Sequence, residues 1–365
     1  MKSDRIKIFI VTQTFPPRNG GMQSVMKSLA INLSKLRHVI VLPDHPVKNF
    51  NSDNKVSIDF IFAQLPKIVR PLFKRFKIGR IINSQDIIIC DSWKSMASIP
   101  RNIPNKIIVL AHGQEYLNKN KKYRINHALS RADVLIANSN FTLSLVDQVI
   151  ELPKLEKYII PPTYSMPIHI PVFKKKINKH VRLLSLARIE ARKGLSQVLE
   201  VLVSLKKKNQ IHDFHWDIAG EGPDLINMKK LSHFYGIEKN ITFHGWVDEK
   251  RKHSLFKKSD LFIMPSYHHE SSIEGFGIVF AEAASYAVPS VAGINGGMCE
   301  VVKDKYSGWI VDPLNEQGLK KILKDAINHP IKLRKRGIAA KKYFNKYFRP
   351  ENVFDDFLRA INLAK

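Results

Sequence analysis

The feature that most constrains this chain is an alternation that runs its course and then begins again. Short β-branched runs at Ile6–Val11, Val39–Leu42, Ser57–Phe62, Asp86–Cys90, Lys106–Ala111 and Val134–Ala137 have the length and apolar continuity of buried strands. Amphipathic stretches at Gly21–Leu36 and Arg124–Arg131 read as helices between some of them. After residue 180 the series restarts, with strands expected at Val181–Leu186, Phe214–Ala219, Asn240–His244, Leu261–Met264 and Ser290–Ala292. Helices are expected there at Leu195–Lys208 and Pro223–Tyr235. Such alternation implies parallel sheets flanked by helices, because a parallel crossover needs a helix to return the chain.

The segment between the two series, Ile160–Pro171, holds four prolines in twelve residues, and three lysines follow at 174–176. Proline removes backbone donors and fixes φ, so this stretch reads as an extended linker with the hinge at about 162–180. The expected division is a domain over 1–165, a second over 166–340, and a C-terminal helix over 341–365 packing back on the first.

The chain's 365 residues suit two domains, and its 44% hydrophobic content excludes wholesale disorder. The two cysteines, Cys90 and Cys299, match no zinc or redox spacing, so a reducing compartment is expected. Lysine and arginine outnumber acids 59 to 32, a net charge of +27 shared almost evenly between the halves. That field attracts polyanions, whether nucleic acid, an anionic membrane or phosphate-bearing substrates, and by itself it does not choose. The apolar run near the N-terminus is too short for a signal peptide, and no stretch reaches the 18 or so apolar residues of a membrane span.

The residues that could carry chemistry follow strands and open helices. Gly20 and Gly21 precede the first helix, where paired glycines expose backbone N–H groups suited to a phosphate; a plain turn accounts for them equally. Gly220-Glu-Gly222 is a G-x-G without a third glycine, better read as a turn ahead of Pro223. Arg188, Arg192 and Lys193 crowd a helix start, where the macrodipole disfavours cations unless an anion sits between them. The richest stretch runs from Met264 to Ala284. There Glu274 stands just before a helix expected near Gly277, and Glu282 lies inside an apolar run where a charge needs a partner. The N–H groups of Phe276–Ile278 would point at an anion.

Glu274-x7-Glu282 resembles the E-x7-E motif of retaining GT-B glycosyltransferases of family 4. Phe15–Gln23 is similar to that family's amino-terminal glycine loop, and Ala111-His112-Gly-Gln-Glu115 to its first-domain histidine motif. Ala137-Asn-Ser139, Arg188-x4-Lys193-Gly and Ala292–Glu300 resemble the family's further motifs, in family order. The strings look most like those of bacterial phosphatidyl-inositol or O-antigen mannosyltransferases. The resemblance implies an α/β fold of GT-B type, two Rossmann-like domains facing each other across a cleft. It implies a nucleotide-sugar donor such as GDP-mannose or a UDP-hexose. Glu282 would take the ribose hydroxyls, Glu274 the sugar hydroxyls, and Arg188 with Lys193 the leaving diphosphate. Backbone groups at Gly20, Gly21, Gly275, Phe276 and Gly277 would help, and His112 would touch donor sugar or acceptor. No Asp-x-Asp occurs, so metal-independent departure without a cofactor is expected.

Lys67–Arg80 mixes six cations with large apolar residues, placing Ile68, Val69, Leu72, Phe73 and Phe76 on one face of a helix. Such a helix can lie in an anionic bilayer or pack on the sheet with a solvated basic face. The combined expectation is a cytoplasmic enzyme on the inner face of the membrane, extending a cell-surface glycan or lipid-linked acceptor. The alternatives are a sugar-nucleotide epimerase of the same architecture or a basic nucleic-acid-binding protein; the absence of a recognisable nucleic-acid module disfavours the last.

Overall fold

The computed structural model describes residues 6–18, 20–47, 50, 57–164, 180–268 and 272–363. It divides into two units: residues 1–166 with 350–365, and residues 167–349. Most of the expected hinge, residues 165–179, lies outside the described residues.

In the first unit, seven parallel strands stand in the order β3-β2-β1-β4-β5-β6-β7. They are β1 (Lys7–Val11), β2 (His38–Leu42), β3 (Ile58–Phe60), β4 (Ile87–Cys90), β5 (Ile107–Ala111), β6 (Val134–Ala137) and β7 (Glu156–Ile159). The helices are α1 (Gly21–Ser34), α2 (Arg70–Ile81), α3 (Lys122–Leu129) and α4 (Asn140–Asp147). The central strands β1, β4, β5 and β6 are almost wholly buried, as continuous apolar runs covered on both faces must be. The edge strand β7, Glu-Lys-Tyr-Ile, is largely exposed and has no apolar run to announce it.

The second unit repeats the plan with six parallel strands in the order β10-β9-β8-β11-β12-β13. These are β8 (Val181–Leu186), β9 (Phe214–Ala219), β10 (Ile241–Gly245), β11 (Leu261–Met264), β12 (Ser290–Ala292) and β13 (Gly308–Ile310). Around them lie α5 (Leu195–Lys207), α6 (Leu225–Phe234), α7 (Glu249–Lys258), α8 (Ile278–Ser285), α9 (Met298–Val301), α10 (Glu316–Asn328) and α11 (Pro330–Tyr347). Strand order reverses between β1 and β4 in one sheet and between β8 and β11 in the other. Open α/β sheets bind ligands at the carboxyl ends of strands at such a switch point.

The boundary expected at 340 is displaced. Helix α11 runs through it and stays in the second unit, with Leu333, Gly337, Ala340 and Phe344 buried along it. A Cβ on Gly337 would lie 2.1 Å from the carbonyl oxygen of Ala287, so backbone there presses on backbone. Only the final helix, α12 (Pro350–Ala360), belongs to the first unit. Its Val353, Phe357, Leu358 and Ala360, with Ile361 beyond, join a core containing Ile8, Ile10, Phe15, Met26 and Leu29. Phe357→Ala is expected to destabilise the first unit by about 3–5 kcal/mol, measured by denaturant unfolding.

Candidate functional site

The loops leaving β8 and β11 are pressed together. After β8 the chain makes a short 3-10 turn, Ala191–Lys193, which ends at Gly194 with φ +70°. A Cβ at Gly194 would sit 2.5 Å from the carbonyl oxygen of Pro265, so only glycine lets the turn lie against the β11 exit. The Tyr267 N–H donates to the Arg192 carbonyl at 2.9 Å, which fixes the same approach.

This contact brings Lys193 to Glu274. The buried ammonium lies 2.6 Å from Glu274 Oε2, and Arg192 Nη1 lies 3.5 Å from the same oxygen. Burial alone would raise the Glu274 pKa, yet the charges of Lys193 and Arg192 outweigh it and hold the carboxyl below the ordinary range. Glu274 is therefore a standing acceptor and not a proton donor. Its own carbonyl accepts from the Gly297 N–H at 3.0 Å, which ties the β11 exit to the loop after β12.

Arg188 stands apart from this pair. Its side chain is 71% exposed and its Nε is 3.6 Å from Glu190 Oε2, while Arg192 Nε holds Glu190 Oε1 at 2.6 Å. The structure thus puts Arg192, noted in the sequence only as one of three cations, beside the acid. Gly277 precedes α8 with φ +80°, and Phe276 is buried edge-on against Phe348 at 5.8 Å. Gly275 lies between Glu274 and Phe276 in the same turn.

Glu282, buried on α8, meets Lys252 of α7 at 2.6 Å, the side chains being 8% and 13% exposed. Lys252 also reaches Glu249 at 2.9 Å. Burial raises the Glu282 pKa and Lys252 only partly offsets it. Nothing in the local sequence of α7 singles out Lys252; the sign that a cation was needed was Glu282 itself, an acid in an apolar helix. The G-x-G keeps its structural reading, since Cβ atoms on Gly220 and Gly222 would lie 1.8 Å from the Ala187 and 2.2 Å from the Ile189 carbonyl oxygens.

His112, Gly20 and Gly21 belong to the first unit. The His112 ring is 3.0 Å from the Asp91 carbonyl oxygen through Nε2, and its backbone N–H donates to Glu115 at 2.7 Å. Gly20 caps α1 and Gly21 opens it. Asp91, which no sequence motif marked, organises the β1 exit. It accepts from the Thr12 hydroxyl at 2.8 Å, the Gln13 N–H at 2.7 Å and the Ser95 hydroxyl at 2.5 Å. Among the described residues no group of three or more His, Cys, Asp or Glu could hold a metal ion.

Residues 170–343 match the family model described as glycosyl transferases group 1. The second unit is a glycosyltransferase group 1 domain. The chain is similar to the GDP-mannose-dependent alpha-(1-6)-phosphatidylinositol monomannoside mannosyltransferase of Mycolicibacterium smegmatis. The identity is 23%, covering 92% of this chain and 93% of that protein. Mannosylfructose-phosphate synthase of Agrobacterium fabrum is 24% identical, over 56% of this chain and 47% of that protein. Among solved structures, Anabaena HepE in complex with UDP-glucose superposes with a TM-score of 0.76 at 16% identity, covering 98% of this chain and 99% of that one. Sucrose-phosphate synthase of Thermosynechococcus elongatus gives a TM-score of 0.79 at 16% identity, covering 99% and 100%. The fold is that of the GT-B glycosyltransferases, as the resemblance implied.

Within this domain, Lys252→Met is expected to cost about 3–5 kcal/mol by leaving a buried carboxylate unpaired. Glu282 already binds its proton more tightly in the folded state than the ordinary carboxyl value of 4.5, so folding favours the protonated form and stability drains as pH rises past that value. Removing Lys252 steepens the drain. Urea unfolding across pH 4.5–8 should show the variant's deficit growing with pH, and a further Glu282→Gln change should restore most of it.

Proposed function

We propose that this chain transfers a hexose from a nucleotide-sugar donor to a glycan or lipid-linked acceptor, with retention of anomeric configuration. The observation that carries the reading is the Lys193–Glu274 pair, reinforced by Arg192 at the carboxyl edge of the switch strands, inside a glycosyltransferase domain.

Departure of a nucleoside diphosphate builds negative charge on the leaving oxygens, and fixed cations there lower the barrier directly. Lys193 has three donors and spends one on Glu274, leaving two for a phosphate. Arg188 reaches into solvent from the same loop and supplies a bidentate fork. Backbone N–H groups from Gly275 to Gly277, at the start of α8, add partial positive charge. Glu274, held ionised, accepts from sugar hydroxyls, and Glu282 accepts from the ribose. In the first unit, Gly20 and Gly21 offer backbone donors at the start of α1, and His112 contacts the sugar or the acceptor. The incoming hydroxyl attacks the face the diphosphate leaves, and a phosphate oxygen takes its proton.

The donor proposed is GDP-mannose or a UDP-hexose, in line with the names of the similar mannosyltransferase and of the HepE complex. The cations do the work assigned elsewhere to a divalent metal, so transfer is proposed to be metal-independent. No helix among the described residues is long and apolar enough to cross a membrane. A place on the inner face of the cytoplasmic membrane, serving surface-polysaccharide or lipopolysaccharide assembly, completes the proposal.

Purified protein should be stabilised against heat by one of a panel of nucleotide sugars and should release the matching nucleoside diphosphate with a glycosylated acceptor, undiminished by EDTA. Lys193→Ala and Glu274→Ala are each expected to lower turnover by about 10²–10³-fold with far-ultraviolet circular dichroism unchanged. Isomerised donor without transfer, or full turnover by either variant, would overturn the reading.

A further inference from the structure

The 3-10 helix Trp93–Ser98, which follows β4, packs between α2 and α3, and a recess of about 940 Å³ opens along it. Arg75 of α2, Arg124 of α3, and Lys94, Arg101, Lys121 and Arg131 line this recess. Among the described residues no Asp or Glu does. Like charges so placed repel one another. Desolvation first, then the charges of Arg75 and Arg101, loosen the proton of Arg131. An anion between them would relieve that repulsion.

Two buried donors on the lining point to the same kind of ligand. Trp93 is 5% exposed, and its Nε1–H has no acceptor among the described residues. The Nε–H of Arg75 has none either, although Arg75 Nη2 donates to the Ala97 carbonyl at 2.8 Å. Buried donors left unpaired are costly, and an oxyanion is the group that satisfies them.

The distribution of these groups decides the size of the ligand. The volume lies near the top of the range for small-molecule sites, about 300–1,000 Å³. The cations come from separate stretches of chain, so one phosphate would meet a few of them and a short run of anionic groups would meet them all. Arg75, Arg101, Arg124 and Arg131 carry planar forks, which match carboxylate and phosphate alike. Tyr123, exposed and stacked on His127, adds a ring against which the apolar face of a sugar can lie. Gln13 also lines the recess and joins it to the β1 exit. Its N–H donates to Asp91 at 2.7 Å, and the Asp91 carbonyl oxygen lies 3.0 Å from the His112 ring.

We propose that this recess binds an anionic oligosaccharide, the charged portion of the acceptor. The proposal rests on the transfer activity proposed above and names the charge class of its acceptor. A single-stranded nucleic acid asks for a succession of open aromatic faces. Among the described lining residues Trp93 is buried, with the Lys94 ammonium 6.0 Å from its ring centroid, and Tyr123 alone of the Trp and Tyr side chains is exposed. A flat lipid surface would meet the rim and leave the buried donors unreached.

The test is calorimetric titration of the full chain, at low salt and without nucleotide sugar, with tetragalacturonate as the anionic probe and maltotetraose as its neutral counterpart. Tetragalacturonate is expected to bind with a Kd below about 1 mM, weakening as salt is added, and maltotetraose to give no heat. Lys94→Glu combined with Arg101→Glu, two exposed positions, should weaken binding by at least about tenfold. Trp93→Phe, which keeps a ring and removes the N–H, should weaken it by about fivefold. Both variants should keep the wild-type melting temperature and the wild-type stabilisation by nucleotide sugar. Equal binding of maltotetraose, or wild-type affinity in the charge-reversal variant, would overturn the proposal. So would pyrophosphate, an oligonucleotide of equal charge or phosphatidylglycerol vesicles binding as tightly as the tetramer, or displacement of the tetramer by nucleotide sugar. A failure here leaves stabilisation by nucleotide sugar as it was, whereas failure of the transferase reading removes that stabilisation and leaves the titration readable.

Discussion

The site depends on a carboxylate that is desolvated and yet ionised. Glu274 keeps its charge because Lys193 and Arg192 reach it from the neighbouring strand's exit, and they can do so only because the two loops touch backbone to backbone at Gly194 and Pro265. Packing and electrostatics are the same fact here. Were the loops an ångström further apart, burial would favour the neutral acid, and the cations would be free to turn into solvent. The pair is thus an arrangement set before any ligand arrives, which is the condition under which fixed charges lower a barrier without first having to reorganise.

The second acid obeys a different balance. Glu282 sits deeper, faces one cation from another helix, and holds its proton more tightly than an ordinary carboxyl. Two glutamates eight residues apart in one motif therefore differ in what they can offer. One is a permanent acceptor at the edge of the sheet, and the other is a guarded charge whose state hinges on Lys252. An interaction that replaced Lys252's partner with a ribose hydroxyl would have to keep that lysine near, so the two residues act as a unit.

Much of this was legible in the sequence. The buried strands announced themselves as unbroken apolar runs, and Val134–Ala137, Val181–Leu186 and Leu261–Met264 have the same bounds in the structure as in the sequence reading. The cations after β8 and the acid after β11 are each marked in the sequence, but that Lys193 and Arg192 pair with Glu274 appears only in the structure. What escaped was whatever depends on distant chain. Strand β7 is largely exposed and lacks an apolar run, so its identity comes from its neighbour β6 and not from its own residues. Lys252 and Asp91 carry no motif, and their importance appears only when α7 meets α8 and when β4 ends beside β1. On α2 the sequence leaves two readings open, an apolar face in a bilayer or against the sheet; in the structure Ile68, Leu72 and Phe76 are exposed and the residues turned inward are Lys74 and Ile78. A lysine can be the inward residue when a carbonyl and a carboxylate wait for it, and apolarity alone does not reveal that.

The placement of α12 has a consequence for how the molecule comes into being. The core begun by Ile8 and Ile10 is completed by Phe357 and Ile361. During synthesis, then, the earlier-made unit must wait with an open apolar face while the whole of the later one is translated. The large core of the second unit draws on residues between Val181 and Leu333, whereas that of the first is finished last. Trimming or obstructing the tail beyond Arg349 would strike the start of the protein, leaving the glycosyltransferase domain itself intact.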